Sequence, residues 1–152
     1  MKRFRFNLQQ VLDLKANQKQ HVAQNLAVAE RAKNRIESTI ERLTESWKRE
    51  KEALDGSMKK MVAAEYQMRV RYLDHLDLQI ERERNNLFEA SSKVADVRRK
   101  LIQFSQEEQA LNILKDKKYQ HFQKELGKRE QADLDELVSQ RSIVKSIARR
   151  AF

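Results

Sequence analysis

The sequence predicts an all-α fold: an elongated two-helix antiparallel coiled-coil hairpin in which the second helix overhangs the first. Three observations predict it. The chain of 152 residues has no proline and two glycines, where average usage would supply roughly 7 and 10. Both residues interrupt helices, so their scarcity permits very long ones. Charged residues make up 36% of the chain, too many for a compact globule but compatible with helices that bury one narrow stripe. Two unbroken apolar rhythms, alternating steps of three and four, flank Asp55-Gly56. The first runs from Leu8 to Leu54 and is apolar at 10 of 14 sites; the second runs from Val62 to Phe104 and is apolar at 11 of 13. Such a seam buries one face of a helix against a partner, and a turn between two seams makes the chain its own partner.

The elements follow in order within a single coiled-coil unit, residues 1–152. The first helix is expected over about 7–54. Asn7 suits its N-cap, Gln10 completes a capping-box-like arrangement, and Phe6 with Val11 occupies the positions of a hydrophobic staple. The turn is expected at about 55–61 and the second helix over about 62–140. Residues 141–152 form a candidate disordered end, and Gly127 is a candidate interruption.

The polar exceptions within the seam suggest a register. If paired positions sum to 116, Lys33 faces Glu83, Trp47 faces Arg69 as a cation–π pair, and Glu50 faces Tyr66 as a hydrogen-bonded pair. Polar seam residues that match in only one alignment are a known means of fixing it. Ala29 then meets Leu87, and Leu26 meets Ala90. Lys15 and Lys19 oppose apolar residues, so the seam is weakest there, although long lysine stems can snorkel. The first helix runs out near the partner of residue 108, close to where the second rhythm stops. The overhang begins there.

Composition excludes several function classes. There is no cysteine, hence no disulfide framework or thiolate metal site. His21, His75 and His121 lie far apart without ligand spacing, and two isolated glycines cannot build a phosphate-binding loop. No catalytic residue, metal or cofactor is expected, and the chain is not expected to be an enzyme. No apolar run is long enough for a transmembrane segment. The net charge of +9 is spread thinly with interleaved signs, as on a solvated helix face, so no nucleic-acid partner is expected. Charge without adjacent acids gathers at the ends: Lys2, Arg3 and Arg5 at one, Arg141, Lys145, Arg149 and Arg150 at the other. Phe4, Phe6, Ile143, Ile147 and Phe152 interleave apolar groups with these charges, which suits docking to an acidic, partly apolar surface. Away from the seam, Met68, Tyr72, His75 and Gln79 form a second candidate docking line.

The opening Phe4-Arg5-Phe6-Asn7-Leu8-Gln9-Gln10-Val11-Leu12-Asp13-Leu14-Lys15 resembles the start of the flagellar export protein family FliJ. The resemblance continues from Tyr72-Leu73 to Leu87, and in Glu130-Gln131 with Leu134-Asp135-Glu136. It implies a soluble, stalk-like component of the flagellar type III export apparatus. Such a protein is cytoplasmic and peripherally held at the membrane at the flagellar base. Its implied partners are the hexameric export ATPase, the membrane export gate protein and export chaperones. By that resemblance Phe4, Arg5, Phe6, Arg141, Lys145, Arg149 and Arg150 would face the ATPase. Met68, Tyr72, His75 and Gln79 would face the gate. Self-pairing predicts a monomeric hairpin. The alternatives are the stalk of a virulence-type secretion system, a basic helical nucleic-acid binder and a generic structural coiled-coil dimer.

Overall fold

The structure, a computed structural model, describes residues 3–150. Lys2 and Phe152 lie outside that range, and for Arg150 only the backbone is described. The fold is an all-α hairpin of two long helices packed against each other, α1 (Gln9–Ser57) and α2 (Ala63–Arg150).

The start of α1 lies slightly later than its capping signals suggest. The Leu12 N–H donates to the Leu8 carbonyl at 2.9 Å. Because the cap residue supplies the first helical acceptor, Leu8 takes that role and Asn7 sits in the preceding turn. Phe6 is buried while Val11 stays exposed. The Phe6 ring instead lies 5.9 Å from the Lys118 ammonium on α2.

The turn also moves. The α1 helix continues through Asp55 and Gly56, and the connection occupies residues 58–62 rather than 55–61. Neither glycine has a positive φ, so Gly56 does not use the freedom that makes glycine a turn residue. The Lys51 ammonium holds Asp55 at 3.4 Å in an i,i+4 pair, and Leu54 is the most deeply buried residue of α1, at 3% exposure. Both favour one more helical turn before the chain reverses. The Lys60 N–H then donates to the Ser57 carbonyl at 3.0 Å, and the first α2 bond runs from the Tyr66 N–H to the Val62 carbonyl at 3.0 Å.

Moving the turn toward the C-terminus changes the register. The cross-helix ion pairs join Glu50 to Arg69 at 3.2 Å, Glu30 to Arg98 at 2.8 Å and Lys15 to Glu107 at 2.6 Å. In each, the α1 residue meets an α2 residue further along than a sum of 116 requires. The expected polar pairs are replaced accordingly. Glu50 takes Arg69 instead of Tyr66. Arg69, which also reaches Glu65 at 3.5 Å, engages carboxylates rather than the Trp47 ring, and the Trp47 Nε1 is left buried without a hydrogen-bond partner. Lys33 pairs with Glu37 on its own helix at 3.6 Å instead of with Glu83. Ala29 and Ala90 both line one open depression between the helices.

The helices contribute to two compact units, residues 1–16 with 106–152 and residues 17–105. The boundaries fall at weak points of the seam: between Lys15 and Lys19, and just past Phe104, where the strict rhythm ends. In the unit of residues 17–105 the buried apolar residues are Ala29, Leu54, Leu73, Leu76, Ile80 and Val94, all on the seam; in the other unit they are Phe6 and Leu12. No large side chain is completely enclosed among the described residues, because a two-helix seam leaves every residue one open flank.

The α2 helix does not stop at 140 or break at Gly127; it runs to Arg150. Local bonds support this stretch. The Lys128 ammonium donates to Glu125 at 3.1 Å, Gln131 to Asp135 at 3.1 Å, and the Ser142 and Ser146 hydroxyls to the carbonyls of Ser139 and Ile143. With no proline, nothing covalent interrupts the ladder.

Candidate docking surfaces

Three surfaces carry the residues singled out by the sequence. The first is the N-terminal strap in the unit of residues 1–16 and 106–152. The Phe4 ring packs edge-on against Tyr119, with centroids 5.2 Å apart and planes at 72°, and tilted against Phe122 at 5.6 Å. Such pairs contribute about 0.5–1.5 kcal/mol beyond burial. Phe4 and Phe6 are therefore largely occupied in holding the strap to α2, whereas Arg5 remains exposed. An open cleft of about 630 Å³ beside them is lined by Arg5, Asn7, Gln9, Gln10 and Lys115 as well as both phenylalanines. The sequence reading missed Tyr119 and Phe122. Their i,i+3 spacing places two aromatic rings on one face of α2, a legible signal once a receiving aromatic at the N-terminus is considered.

The second surface is the C-terminal part of α2. Every residue from 126 to 149 is exposed, including Leu134, Leu137, Val138, Ile143, Val144 and Ile147. Arg141, Lys145 and Arg149 follow one another at four-residue steps and form a basic ridge beside these apolar groups. This ridge is not brought together with the strap: Phe4 touches α2 at 119 and 122, and Arg141 lies about 30 Å further along the helix at 1.5 Å per residue.

The third surface lies in the unit of residues 17–105. Met68, at 68% exposure, and Tyr72, at 47%, stand on α2 with exposed His75 and half-buried Gln79. Their three- and four-residue spacing keeps the four on one side of the helix.

Among the described residues there is no group of three or more His, Asp and Glu side chains that could hold a metal ion, and no helix is long and apolar enough to cross a membrane. The hydrogen bond and charge of Lys128 hold Glu125 below the ordinary carboxylate value. This is an exposed i,i+3 pair on the helix surface and has no catalytic setting.

The profile of the family described as "Flagellar FliJ protein" matches residues 4–146, which takes in the strap and nearly all of both helices. No curated protein and no solved structure matches the chain. The match and the all-α hairpin agree with the resemblance of the Phe4–Lys15 opening, and the chain belongs to the FliJ family of flagellar export proteins.

Proposed function

We propose that the protein is a stalk-like adaptor of the flagellar type III export apparatus. It joins the hexameric export ATPase to the membrane export gate and offers a surface to export chaperones. The observation that carries this reading is the bare helix 126–149. Isolated helices in water are marginal and draw their stability from packing of an apolar face. A long helical segment with seven exposed large apolar residues, several beside a basic ridge, therefore suits insertion into a partner. Arg5, Arg141, Lys145 and Arg149 are the charged contacts to the ATPase, and Phe4 and Phe6 set the strap from which Arg5 projects. Met68, Tyr72, His75 and Gln79 contact the gate. The protein is a cytoplasmic monomer, held peripherally at the flagellar base by these partners. Chemistry belongs to the ATPase; this chain supplies position and mechanical coupling, for which no cofactor is needed.

A pull-down with purified export ATPase tests the reading. Removal of residues 141–152 should abolish capture, and Phe4→Ala should weaken it by loosening the strap. Tyr72→Ala should leave ATPase capture intact and reduce capture by the gate's cytoplasmic domain. Undiminished ATPase capture by the truncated chain would sink the assignment of that end.

A further inference from the structure

The tip of the hairpin, in the unit of residues 17–105, carries chemistry that neither the seam nor the three docking surfaces use. From Gly56 to Ala64 the chain has no acid, two adjacent lysines and the apolar residues Met58, Met61, Val62, Ala63 and Ala64. The run Met61–Ala64 is as long as any unbroken apolar run in the sequence. Consecutive residues at a helix start point about 100° apart, so one seam cannot cover all four. Met61 is half-buried, whereas Val62 is 70% exposed and Ala63 and Ala64 are exposed as well. Met58, at the other end of the connection, is 58% exposed, and Lys59 and Lys60 between them are exposed. The two acids that border the tip are held one helical turn back along the hairpin, Asp55 by Lys51 at 3.4 Å and Glu65 by Arg69 at 3.5 Å. Neither Lys59 nor Lys60 takes part in an ion pair among the described residues.

We propose that this tip rests directly on the surface of an anionic lipid bilayer. Lys59 and Lys60 meet the headgroup phosphates, and Met58 and Val62 reach the acyl boundary. Charge complementarity selects the anionic surface. A lysine near it gains from the negative surface potential, and its long stem keeps the ammonium among the headgroups while apolar neighbours go deeper. Shape selects a bilayer over a macromolecule. A short connection between two helix ends is convex, and its side chains radiate instead of lining a groove or one stripe. A partner helix or strand needs such a stripe. Duplex nucleic acid would take the lysines and leave Met58 and Val62 in water. A fluid interface accepts apolar side chains whatever their direction. Two lysines and two apolar side chains make a weak, reversible anchor, which orients the hairpin at a membrane without fixing it there. The inference stands whether or not Tyr72 meets the export gate.

The test uses the full chain. It has no cysteine, so Met58→Cys supplies a single thiol for an environment-sensitive fluorophore at the tip, and Ile147→Cys supplies one on the C-terminal helix. Vesicles of phosphatidylcholine and phosphatidylglycerol in equal parts should shift the emission at position 58 to the blue, and spin-labelled lipid should quench it. Vesicles of phosphatidylcholine alone should do neither. In titrations followed at position 58, apparent affinity should fall about fivefold with each of Lys59→Gln and Lys60→Gln, and should fall as salt rises. Val62→Ser should weaken it too. Arg141→Gln with Lys145→Gln should leave the signal at 58 in place, and helix content by circular dichroism should stay unchanged in every variant. Emission at 58 that keeps its value in water on anionic vesicles would overturn the proposal, as would an equal shift on phosphatidylcholine alone or an unaltered titration in the double lysine variant. So would a shift at 147 with none at 58, which would give the membrane contact to the C-terminal helix. A shift at 58 produced by the gate's cytoplasmic domain and not by vesicles would assign the tip to a protein instead. Because the readout is lipid contact at one labelled position, failure here leaves capture of the ATPase and the gate to be judged separately.

Discussion

The seam of residues 17–105 and the C-terminal stretch 126–149 are both helical and both carry many large apolar residues, in strict rhythm in the first and more loosely in the second, yet they end in opposite states. In the first, Leu73, Leu76 and Ile80 fall to between 3% and 7% exposure; in the second, Leu134, Leu137 and Ile147 remain above half exposed. The difference lies in the presence of a matching helix. The α1 helix supplies a complementary stripe to the seam, and among the described residues none covers 126–149 of α2. Apolar periodicity is thus a statement of what a helix can bury, and partner length decides what it does bury.

Substitutions can break this contrast. Leu76→Ala should cost about 2–5 kcal/mol in chemical denaturation, the range for a buried leucine that leaves a cavity. If it costs under half a kilocalorie, the seam is not the stabilising element. A gain is expected from Gly127→Ala. A Cβ there meets nothing within 4 Å, and alanine exceeds glycine by about 1 kcal/mol within a helix; a rise in helicity on thermal melting is the check. Glu50→Ala should be worth about 0.5 kcal/mol, since it removes a half-exposed pair with Arg69. A double-mutant cycle with Arg69→Ala should give a coupling of the same size. In the tail, Leu137→Ala and Ile147→Ala should change stability by less than about 0.5 kcal/mol while impairing ATPase capture, a separation that Leu76→Ala cannot show. The smallest effect belongs to Glu125. Its pKa is lowered on folding by Lys128, so its contribution is present above the unfolded carboxylate pKa and is lost as pH falls through the folded value. Lys128→Gln should raise the Glu125 pKa in an NMR titration.

Much of the fold was legible because helices this long are governed by local rules. The seam positions that are most buried, Leu54, Leu73, Leu76, Ile80 and Val94, were all on the rhythm, and the unit boundaries fall at Lys15–Lys19 and after Phe104, where the rhythm weakens or ends. The register was not legible. It depended on where the chain turns, and Asp55-Gly56 reads as a turn by propensity while Leu54 burial and the Lys51–Asp55 pair carry the helix past it. Pairing of Glu50 with Arg69 instead of Tyr66 follows from that displacement. A disulfide between cysteines placed at 36 and 80, expected at a sum of 116, should not form. The sites divide in the same way. Exposure of Tyr72 and the basic ridge from Arg141 could be read from spacing, whereas the capture of Phe4 by Tyr119 and Phe122 needed two segments more than a hundred residues apart to be brought together.

The sequence by itself determined that the chain is two long helices with apolar seams, because the 3.6-residue period, the missing prolines and the scattered charge each act within a few residues. Only the tertiary structure decided which residue pairs with which, that Phe6 is buried, and that Phe4 packs on Tyr119 and Phe122. Those depend on the turn and on side chains distant in sequence, and no local preference encodes a distance between two helices.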